Sequence, residues 1–250
     1  MKPTIYDVAK KAGVSIATVS KVMNNQPVRK KTREKVLEAM EELDYKPNIL
    51  ASALMGKRTS TIGFLLPDIA NPFVAEMARR VEDRAHEKGY NLVICSTDFD
   101  REKEALYVSL LNQKSVDGFI LAGDFKNEDV LKSLLEEHIP VVLLAASHPS
   151  LLVNSVRVDD FIGGYEVASH LISLGHKKMA VIGEDATSSK ERIRGFKQAL
   201  QENDMSLHDD MVVISGSSSE DAELSAATLL ADPEPPTAIF ACNDILSMGV

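Results

Sequence analysis

The sequence predicts a small all-helical domain followed by a two-lobed α/β domain with parallel sheets. Short apolar runs at helical spacing fill the first 45 residues, and strand-like apolar runs alternate with amphipathic helices from Thr61 onward. The charge divides at the same place: residues 1–59 hold 12 Lys and Arg against 6 Asp and Glu, and the remainder holds 16 against 31. A basic module on an acidic body suits a protein that contacts phosphates at one end only.

Composition and motifs weigh against several classes of protein. No run approaches the roughly 18 apolar residues of a membrane span, and the first residues do not resemble a secretory signal, so we expect a cytoplasmic protein without a membrane partner. Cys95 and Cys242 lack the spacing of a metal site or redox pair and are expected to be reduced core thiols. Phosphate-binding loops, nucleophile elbows and metal-spaced His/Cys clusters are missing. We therefore predict no catalytic residues, no metal and no cofactor.

The first 45 residues predict three helices around one small core. Thr4, with Asp7 three residues later, resembles a capping box, and Gly13 ends the first helix. Ser15 can cap a second helix that runs to about Asn24. A third helix is expected from about Lys31, with four apolar residues on one face: Val36, Leu37, Met40 and Leu43. Periodicity alone leaves open a generic three-helix bundle.

The residue pattern is more specific than the periodicity. The stretch TIYDVAKKAGVSIATVSKVMNN, residues 4–25, resembles the helix-turn-helix headpiece of the LacI/GalR family of bacterial regulators. The resemblance implies that the second helix enters the major groove of double-stranded operator DNA. Ile16, Ala17 and Lys21 match specificity-setting positions: Lys21 can donate to guanine, and the other two can make apolar contacts with a thymine methyl.

Other residues match family positions that hold phosphates and fix the register on DNA. They are Tyr6, Thr18, Ser20, Asn24 and Thr32. Thr4 and Ser15, at the starts of the two helices, complete the predicted DNA-binding set of the headpiece. Each of them could instead be an exposed polar residue of a helix.

Residues 46–59 predict a hinge. A proline and an asparagine set the start of a helix of about seven residues, which is too short to be stable alone in water. The stretch resembles the family hinge helix, which pairs with its twin in the minor groove. Leu54 matches the apolar wedge that kinks the duplex, with Ala51 packing nearby. Family members usually carry an arginine near Ser52, so polar contacts are not assigned, and the segment could instead be a plain linker.

Residues 60–250 contain two successive series of strands and helices, which predict two lobes with a cleft between them. The arrangement resembles the type I periplasmic-binding-protein fold that the family uses as its sensor. We expect a headpiece at 1–45, a hinge at 46–59, and an effector and dimerisation domain at 60–250. Lobe 1 is expected at about 60–153 and lobe 2 at about 154–250. Ligands of such sheets bind beyond the carboxyl ends of the strands.

Polar and aromatic residues that follow strands indicate the effector site. By resemblance, Phe73, Asp159, Arg192 and Asn243 match effector-contacting positions, and Asp68 follows the first strand, with Asn71 and Asp244 as further residues of the same kind. Carboxylates and amides bind hydroxyls, an arginine forks onto oxygens, and an aromatic ring stacks. This set predicts a small-molecule effector of sugar or nucleobase type. Asp68 and Asp159 could instead serve as strand-end or helix-capping residues, and Asp244 could cap the final helix.

The family chain usually continues beyond the point where this sequence stops. We therefore expect the second lobe to be incomplete, with an exposed apolar edge that favours aggregation.

These features together predict a sequence-specific transcriptional regulator that binds a near-palindromic operator as a homodimer. Repression is the expected outcome. An exported solute-binding protein would share the body but lack residues 1–59. The body is also compatible with a sugar- or nucleoside-modifying enzyme, and with a regulator that answers to a partner protein instead of a small ligand.

Overall fold

The computed structural model describes residues 3–23, 26–45 and 59–250. The chain divides into two compact units, residues 1–59 and 60–250, which are described separately. The predicted hinge helix, with Ala51 and Leu54, and the predicted phosphate-contacting residue Asn24 lie outside the described residues.

Within residues 3–23 and 26–45, the N-terminal unit contains three helices: α1 (Ile5–Ala12), α2 (Ile16–Met23) and α3 (Lys30–Glu42). Each helix contributes a valine without exposed surface to one core: Val8, Val19 and Val36. Gly13 ends α1 in the left-handed conformation at φ 66°, which glycine adopts without a steric penalty. A turn this tight lets α1 and α2 share their core within a short chain.

The carboxylate of Asp7 fixes the start of α1. It accepts hydrogen bonds from the backbone N–H of Thr4 at 2.8 Å and from the Thr4 hydroxyl at 2.7 Å. Both bonds favour the ionised carboxylate, and they hold the pKa of Asp7 below its ordinary value of 3.8. The contribution of Asp7 to headpiece stability is therefore complete above that value and is lost as the pH falls through the lowered pKa.

We expect Asp7→Asn to lower the thermal midpoint of the headpiece at pH 7, because an amide accepts these two bonds more weakly than a carboxylate. The difference between the native chain and Asp7→Asn should shrink as the pH falls below about 4. Calorimetric scans of both chains between neutral and acid pH measure it. A difference that stays constant across this range would contradict the role given to the Asp7 charge.

The prediction that Leu37 belongs to the core face of α3 was wrong. Leu37 is 50% exposed, whereas Val36 and Ala39 are buried and Met40 and Leu43 are half-buried against them. Positions 36, 39, 40 and 43 share one side of a helix with 3.6 residues per turn, and position 37 is rotated about 100° away from 36.

The first lobe of residues 60–250 is a five-stranded parallel sheet in the order β2-β1-β3-β4-β5. Its apolar strands alternate sides: Phe64 and Leu66 pack toward one helix layer and Leu65 toward the other. The strands are β1 (Thr61–Leu66), β2 (Asn91–Ser96), β3 (Gly118–Ala122), β4 (Val141–Leu144) and β5 (Asn154–Val156). The helices are α4 (Pro72–Glu87), α5 (Arg101–Gln113) and α6 (Glu128–Glu136).

The second lobe is a three-stranded parallel sheet in the order β7-β6-β8. All five residues of its central strand are buried, between two separate clusters of helix side chains. The strands are β6 (Met179–Gly183), β7 (Val212–Ile214) and β8 (Ala238–Ala241). The helices are α7 (Asp160–Ser173), α8 (Thr187–Glu202), α9 (Ser219–Leu230) and α10 (Asp244–Gly249). Within residues 59–250, β7 and β8 pair only with β6, and β8 is half-buried along its length.

The structure shifts the predicted boundary between the lobes. β5 pairs with β4 of the first sheet, with Val142 opposite Asn154, so the segment expected to open the second lobe belongs to the first. The second lobe therefore begins after Val156 and not at 154. The prediction relied on a regular alternation of strands and helices. That alternation is interrupted here, because β4 and β5 are joined by a loop without a helix.

Both cysteines are free thiols, Cys242 buried and Cys95 half-buried. Burial raises the pKa of the Cys242 thiol to about 11, which disfavours the reactive thiolate. Among the helices of residues 3–23, 26–45 and 59–250, none combines the length and apolarity needed to cross a bilayer.

Candidate functional site

The exposed face of α2 carries the residues expected to contact bases. Ile16, Ala17 and Lys21 are exposed, whereas Val19 and Val22 of the same helix are buried in the headpiece core. An isoleucine that remains 39% exposed in so small a unit provides an apolar contact surface next to a cation. This face can therefore make apolar contacts with a thymine methyl and donate hydrogen bonds to guanine in a major groove.

Hydroxyl groups fix the beginning of α2. The backbone N–H of Thr18 donates to Oγ of Ser15 at 3.2 Å, and the two hydroxyls lie 2.9 Å apart. Ser15 therefore caps the helix as expected, which orients its first turn. Tyr6 on α1 is 68% exposed, and Thr32 on α3 and Ser20 on α2 are half-buried.

A cavity of about 520 Å³ lies between the two sheets of residues 60–250. The segments that follow β1, β3 and β4 line it from the first lobe, and those that follow β6 and β8 line it from the second. Its wall is therefore built at the carboxyl ends of parallel strands, where ligands of open α/β sheets bind. The volume is within the range of small-molecule sites.

Arg192 lies in this cavity in an ion pair that the sequence did not reveal. Its Nε donates to Oδ1 of Asp160 at 2.9 Å, and its Nη2 lies 2.8 Å from the same oxygen. Its Nη1 donates to the backbone carbonyl of Cys242. The guanidinium thus joins the start of α7 to the end of β8, and three of its donors are engaged.

Asn243 links two strand ends of the second lobe. Its Nδ2 donates to Oε1 of Glu184 at 2.9 Å, and its Oδ1 accepts the backbone N–H of Leu246 at 2.8 Å. Asn243 is therefore both a cavity residue and the cap of α10. Asp244 follows it in the cavity wall and is exposed.

Asp124 connects the lobes. Its Oδ2 accepts the backbone N–H of Thr187, the first residue of α8, at 2.8 Å. The residue before α8 is Ala186, which has no side chain that can cap the helix, so a carboxylate from the first lobe does so. The bond joins the segment that follows β3 to the segment that follows β6, and both segments contribute to the cavity wall.

Two phenylalanines of the first lobe line the cavity. Phe73, 54% exposed, stands at the start of α4, where the side chain of Asn71 accepts its backbone N–H at 3.0 Å. Phe99, 43% exposed, follows β2 and has φ 56°, directly after Asp98 at φ 53°. Successive non-glycine residues in the left-handed region are uncommon, and such strain often occurs at functional sites.

Two of the five predicted effector residues do not line the cavity. The Asp68 carboxylate accepts the backbone N–H of Ala70 at 2.8 Å, and the Asp159 carboxylate caps α7 by accepting the N–H of Ile162 at 3.1 Å. Both thus take the strand-end or capping role that the sequence also allowed. Asp160, one residue after Asp159, occupies the cavity wall instead.

The comparisons with known proteins agree with this architecture. Residues 4–48 match the family described as bacterial regulatory proteins, lacI family, and residues 59–250 match the periplasmic binding proteins and sugar binding domain of LacI family. The chain belongs to the LacI family. Its members among the relatives are transcriptional regulators and not enzymes, and the headpiece match distinguishes the chain from a solute-binding protein.

Individual relatives of this LacI-family chain are similar along nearly all of it. The HTH-type transcriptional regulator DegA of Bacillus subtilis is 47% identical over 99% of the chain and 75% of the relative. Catabolite control protein A of Priestia megaterium is 37% identical over 100% and 76%, respectively. The lac repressor dimer bound to operator and an anti-inducer has a TM-score of 0.86 at 28% identity, covering 100% of this chain and 76% of that one.

Four charged or aromatic residues of the cavity wall in this LacI-family protein were missed by the sequence reasoning: Asp124, Asp160, Glu184 and Phe99. The rule that polar residues follow strands could have found Asp124 and Glu184, which come two residues and one residue after β3 and β6. Asp160 was missed because the effector contact was assigned to its neighbour Asp159. Phe99 could not be predicted as a cavity residue, because no local sequence pattern indicates the left-handed backbone conformation that it adopts there.

A buried carboxylate supports the segment that carries Asp124. Glu104 of α5 is 1% exposed and accepts the backbone N–H of Lys126 at 3.0 Å and that of Asn127 at 2.7 Å. Burial raises the pKa of Glu104, and the two N–H donors oppose that shift. Glu104 thus anchors Lys126 and Asn127, which follow Asp124 in the same segment, to α5.

We expect Glu104→Gln to destabilise this LacI-family domain by about 1–3 kcal/mol, because the amide NH₂ replaces an acceptor and faces a backbone donor. The thermal midpoint should fall by roughly 2–4 °C for each kcal/mol. Glu102→Gln is the matched control, since Glu102 is exposed on the same helix and should change the midpoint little. Equal effects of the two substitutions in calorimetry would contradict the anchoring role.

Proposed function

We propose that this chain is a transcriptional repressor that binds a near-palindromic operator in double-stranded DNA as a homodimer. A small molecule bound in the 520 Å³ cavity modulates that binding. The observation that carries the proposal is the exposed face of α2, with Ile16, Ala17 and Lys21 on a headpiece of the LacI family. Such a helix reads the major groove with its N-terminal residues. A protein that acts on chromosomal DNA belongs in the cytoplasm.

The DNA contacts divide into two kinds. Ile16, Ala17 and Lys21 read bases. The phosphate contacts that set the register come from Thr4, Tyr6, Ser15, Thr18, Ser20, Asn24 and Thr32. In the hinge, residues 46–59, Leu54 enters the central base step with Ala51 beside it. Repression is supported by the roles of two similar proteins, the repressor PurR of Haemophilus influenzae, 36% identical, and the lac repressor.

The dimer is supported by the edge of the first sheet. Within residues 59–250, β2 pairs only with β1, and its Val93 and Ile94 are each 37% exposed. A sheet edge without a strand partner and with exposed apolar residues is a surface that another chain can cover. A symmetric dimer would then place two headpieces on two half-sites.

The effector contacts come from residues on both sides of the cavity. We assign them to Phe73, Arg192 and Asn243, together with Asp124, Asp160 and Glu184. Similar proteins have been solved with sugars, the regulator CelR with cellobiose and an Enterococcus faecium LacI-family regulator with ribose, at TM-scores of 0.67 each. A ligand that bridges two lobes can change their separation and hence the spacing of the headpieces.

In vitro selection of random duplexes by this chain tests the proposal. At about 0.15 M salt, nonspecific attraction to phosphates is weakened, so sequence preference decides enrichment. We expect a near-palindrome with a deformable central step. If this chain enriches nothing, residues 1–59 fused to a dimerising segment are tested next. If only the fusion enriches a sequence, the headpiece recognises DNA but this chain does not dimerise. If neither the chain nor the fusion enriches a sequence, DNA recognition by the headpiece is contradicted.

A further inference from the structure

We infer that the cavity selects its effector by charge. It admits a neutral or cationic ring compound that donates hydrogen bonds, and it rejects phosphorylated or carboxylated ones. This inference rests on the proposed function, because it takes the cavity to be the effector site. It adds the sign of the charge that the effector carries, which the expected sugar or nucleobase class does not determine.

The charged groups in the cavity wall are predominantly acidic. Among residues 59–250, four carboxylates line it, those of Asp124, Asp160, Glu184 and Asp244, against the single guanidinium of Arg192. The formal charge of the wall is therefore −3. In a partly enclosed cavity such charges are screened less than at an open surface, so they oppose the entry of an anion.

The one cation of the wall is already neutralised. Two nitrogens of Arg192 bind Oδ1 of Asp160, whose side chain is only 14% exposed, and a third binds the carbonyl of Cys242. The N–H groups that remain can donate to a neutral hydroxyl or ring oxygen. A phosphate would have to displace Asp160 to obtain the bidentate contact that arginine gives to anions.

Cations near the cavity do not reverse this balance, because they too have acidic partners. Lys190 lies 2.6 Å from Asp185, which is outside the wall. Lys126 lies 3.9 Å from Asp124 and offsets that one wall carboxylate, so the balance changes from −3 to −2. Asp68, next to the first-lobe wall, adds another exposed carboxylate. An anion that approaches the cavity therefore still meets a net negative charge.

The acceptors and aromatic rings of the wall favour a ligand that donates. Both bonds from Arg192 end on Oδ1 of Asp160, and Asn243 donates to Oε1 of Glu184, so the second oxygen of each carboxylate can accept from a hydroxyl or ammonium group. Phe73 and Phe99 offer apolar faces to a ring and can attract a bound cation.

Matched sets of ring compounds test the inference by isothermal titration calorimetry on this chain. The sets are glucose, glucosamine and glucose 6-phosphate; ribose and ribose 5-phosphate; and adenosine and adenosine monophosphate. We expect at least one neutral or amino member to bind, and the phosphorylated member of its set to bind at least about 10-fold more weakly. A phosphorylated member that binds more tightly than its neutral partner would overturn the inference.

Two neighbouring substitutions separate cavity charge from total charge. Asp160→Asn removes the negative charge that neutralises Arg192 and weakens its hydrogen bonds to this side chain, so it should strengthen binding of the phosphorylated member at least about 10-fold relative to its neutral partner. Asp159→Asn removes the same charge from a carboxylate that caps α7 outside the cavity wall, and it should leave the ratio unchanged. Equal ratios in both variants and the native chain would overturn the role given to Asp160.

DNA binding measured on the same preparation distinguishes the two levels of failure. If the chain binds its selected duplex but no neutral or amino ring binds, the charge inference is overturned while DNA recognition stands. If a folded chain binds neither, the proposed function itself fails.

Discussion

Gly164→Ala is expected to destabilise the effector domain by roughly 3 kcal/mol or more, at the upper end of overpacking costs. A Cβ on Gly164 would stand 1.9 Å from the backbone carbonyl oxygen of Arg192, and one on Gly195 would stand 1.9 Å from that of Phe161. These contacts are between the backbones of α7 and α8, so no side chain can rotate away. The helices must separate, and Arg192 moves with α8.

Gly163→Ala is the control for this experiment. Gly163 lies one position earlier in α7, and a Cβ there would meet nothing within 4 Å. Because alanine favours a helix over glycine, Gly163→Ala should stabilise the domain by up to about 1 kcal/mol. Thermal midpoints of the two variants should therefore move in opposite directions. A fall of the same size in both would show that the close approach of α7 and α8 is not what requires glycine.

Ala17→Asp is expected to weaken binding to the selected duplex by roughly 100-fold or more. Ala17 is exposed in the first turn of α2, and a carboxylate there would face the negative potential of the groove and lose an apolar contact. The headpiece should remain folded, because an acidic residue in the first turn of a helix interacts favourably with its dipole. Fluorescence anisotropy titrations and thermal midpoints measure the two effects separately.

Ala75→Asp gives the same change of charge in the other unit. Ala75 is exposed near the start of α4. The substitution changes the total charge by the same amount as Ala17→Asp, but it should leave DNA binding unchanged. If Ala75→Asp weakened binding as much as Ala17→Asp, the effect would come from overall charge and not from the face of α2. Unchanged binding by Ala17→Asp with an intact headpiece would remove α2 from the DNA interface.

The sequence predicted the order of elements well because each has a strong local signal. Buried parallel strands such as β1 and β3 are continuous apolar runs, and capping residues such as Ser15 and Asn243 stand before their helices. β5 has no such signal: its three residues are exposed, and only pairing with β4 assigns it to the first sheet. The boundary between the two lobes therefore depends on long-range strand pairing, which local sequence patterns do not reveal.

The cavity was predictable in position and less so in composition. Polar residues after strands located it, and Phe73, Arg192 and Asn243 do line it. Whether Asp159 or Asp160 faces the cavity depends on which of them is the N-cap of α7 and which is its first helical residue, and a helix start cannot be read from sequence to within one residue. The ion pair between Arg192 and Asp160 joins residues 32 positions apart, so spacing could not reveal it.

The central claim, that a ligand in the cavity controls DNA binding by the headpiece, is tested most directly by measuring operator affinity with and without that ligand. The ligand is the ring compound that binds most tightly in the matched titrations. We expect it to change the dissociation constant for the selected duplex by a factor of about 5–150, and the duplex to change ligand affinity by the same factor. Tight binding of both without any mutual effect would contradict the account.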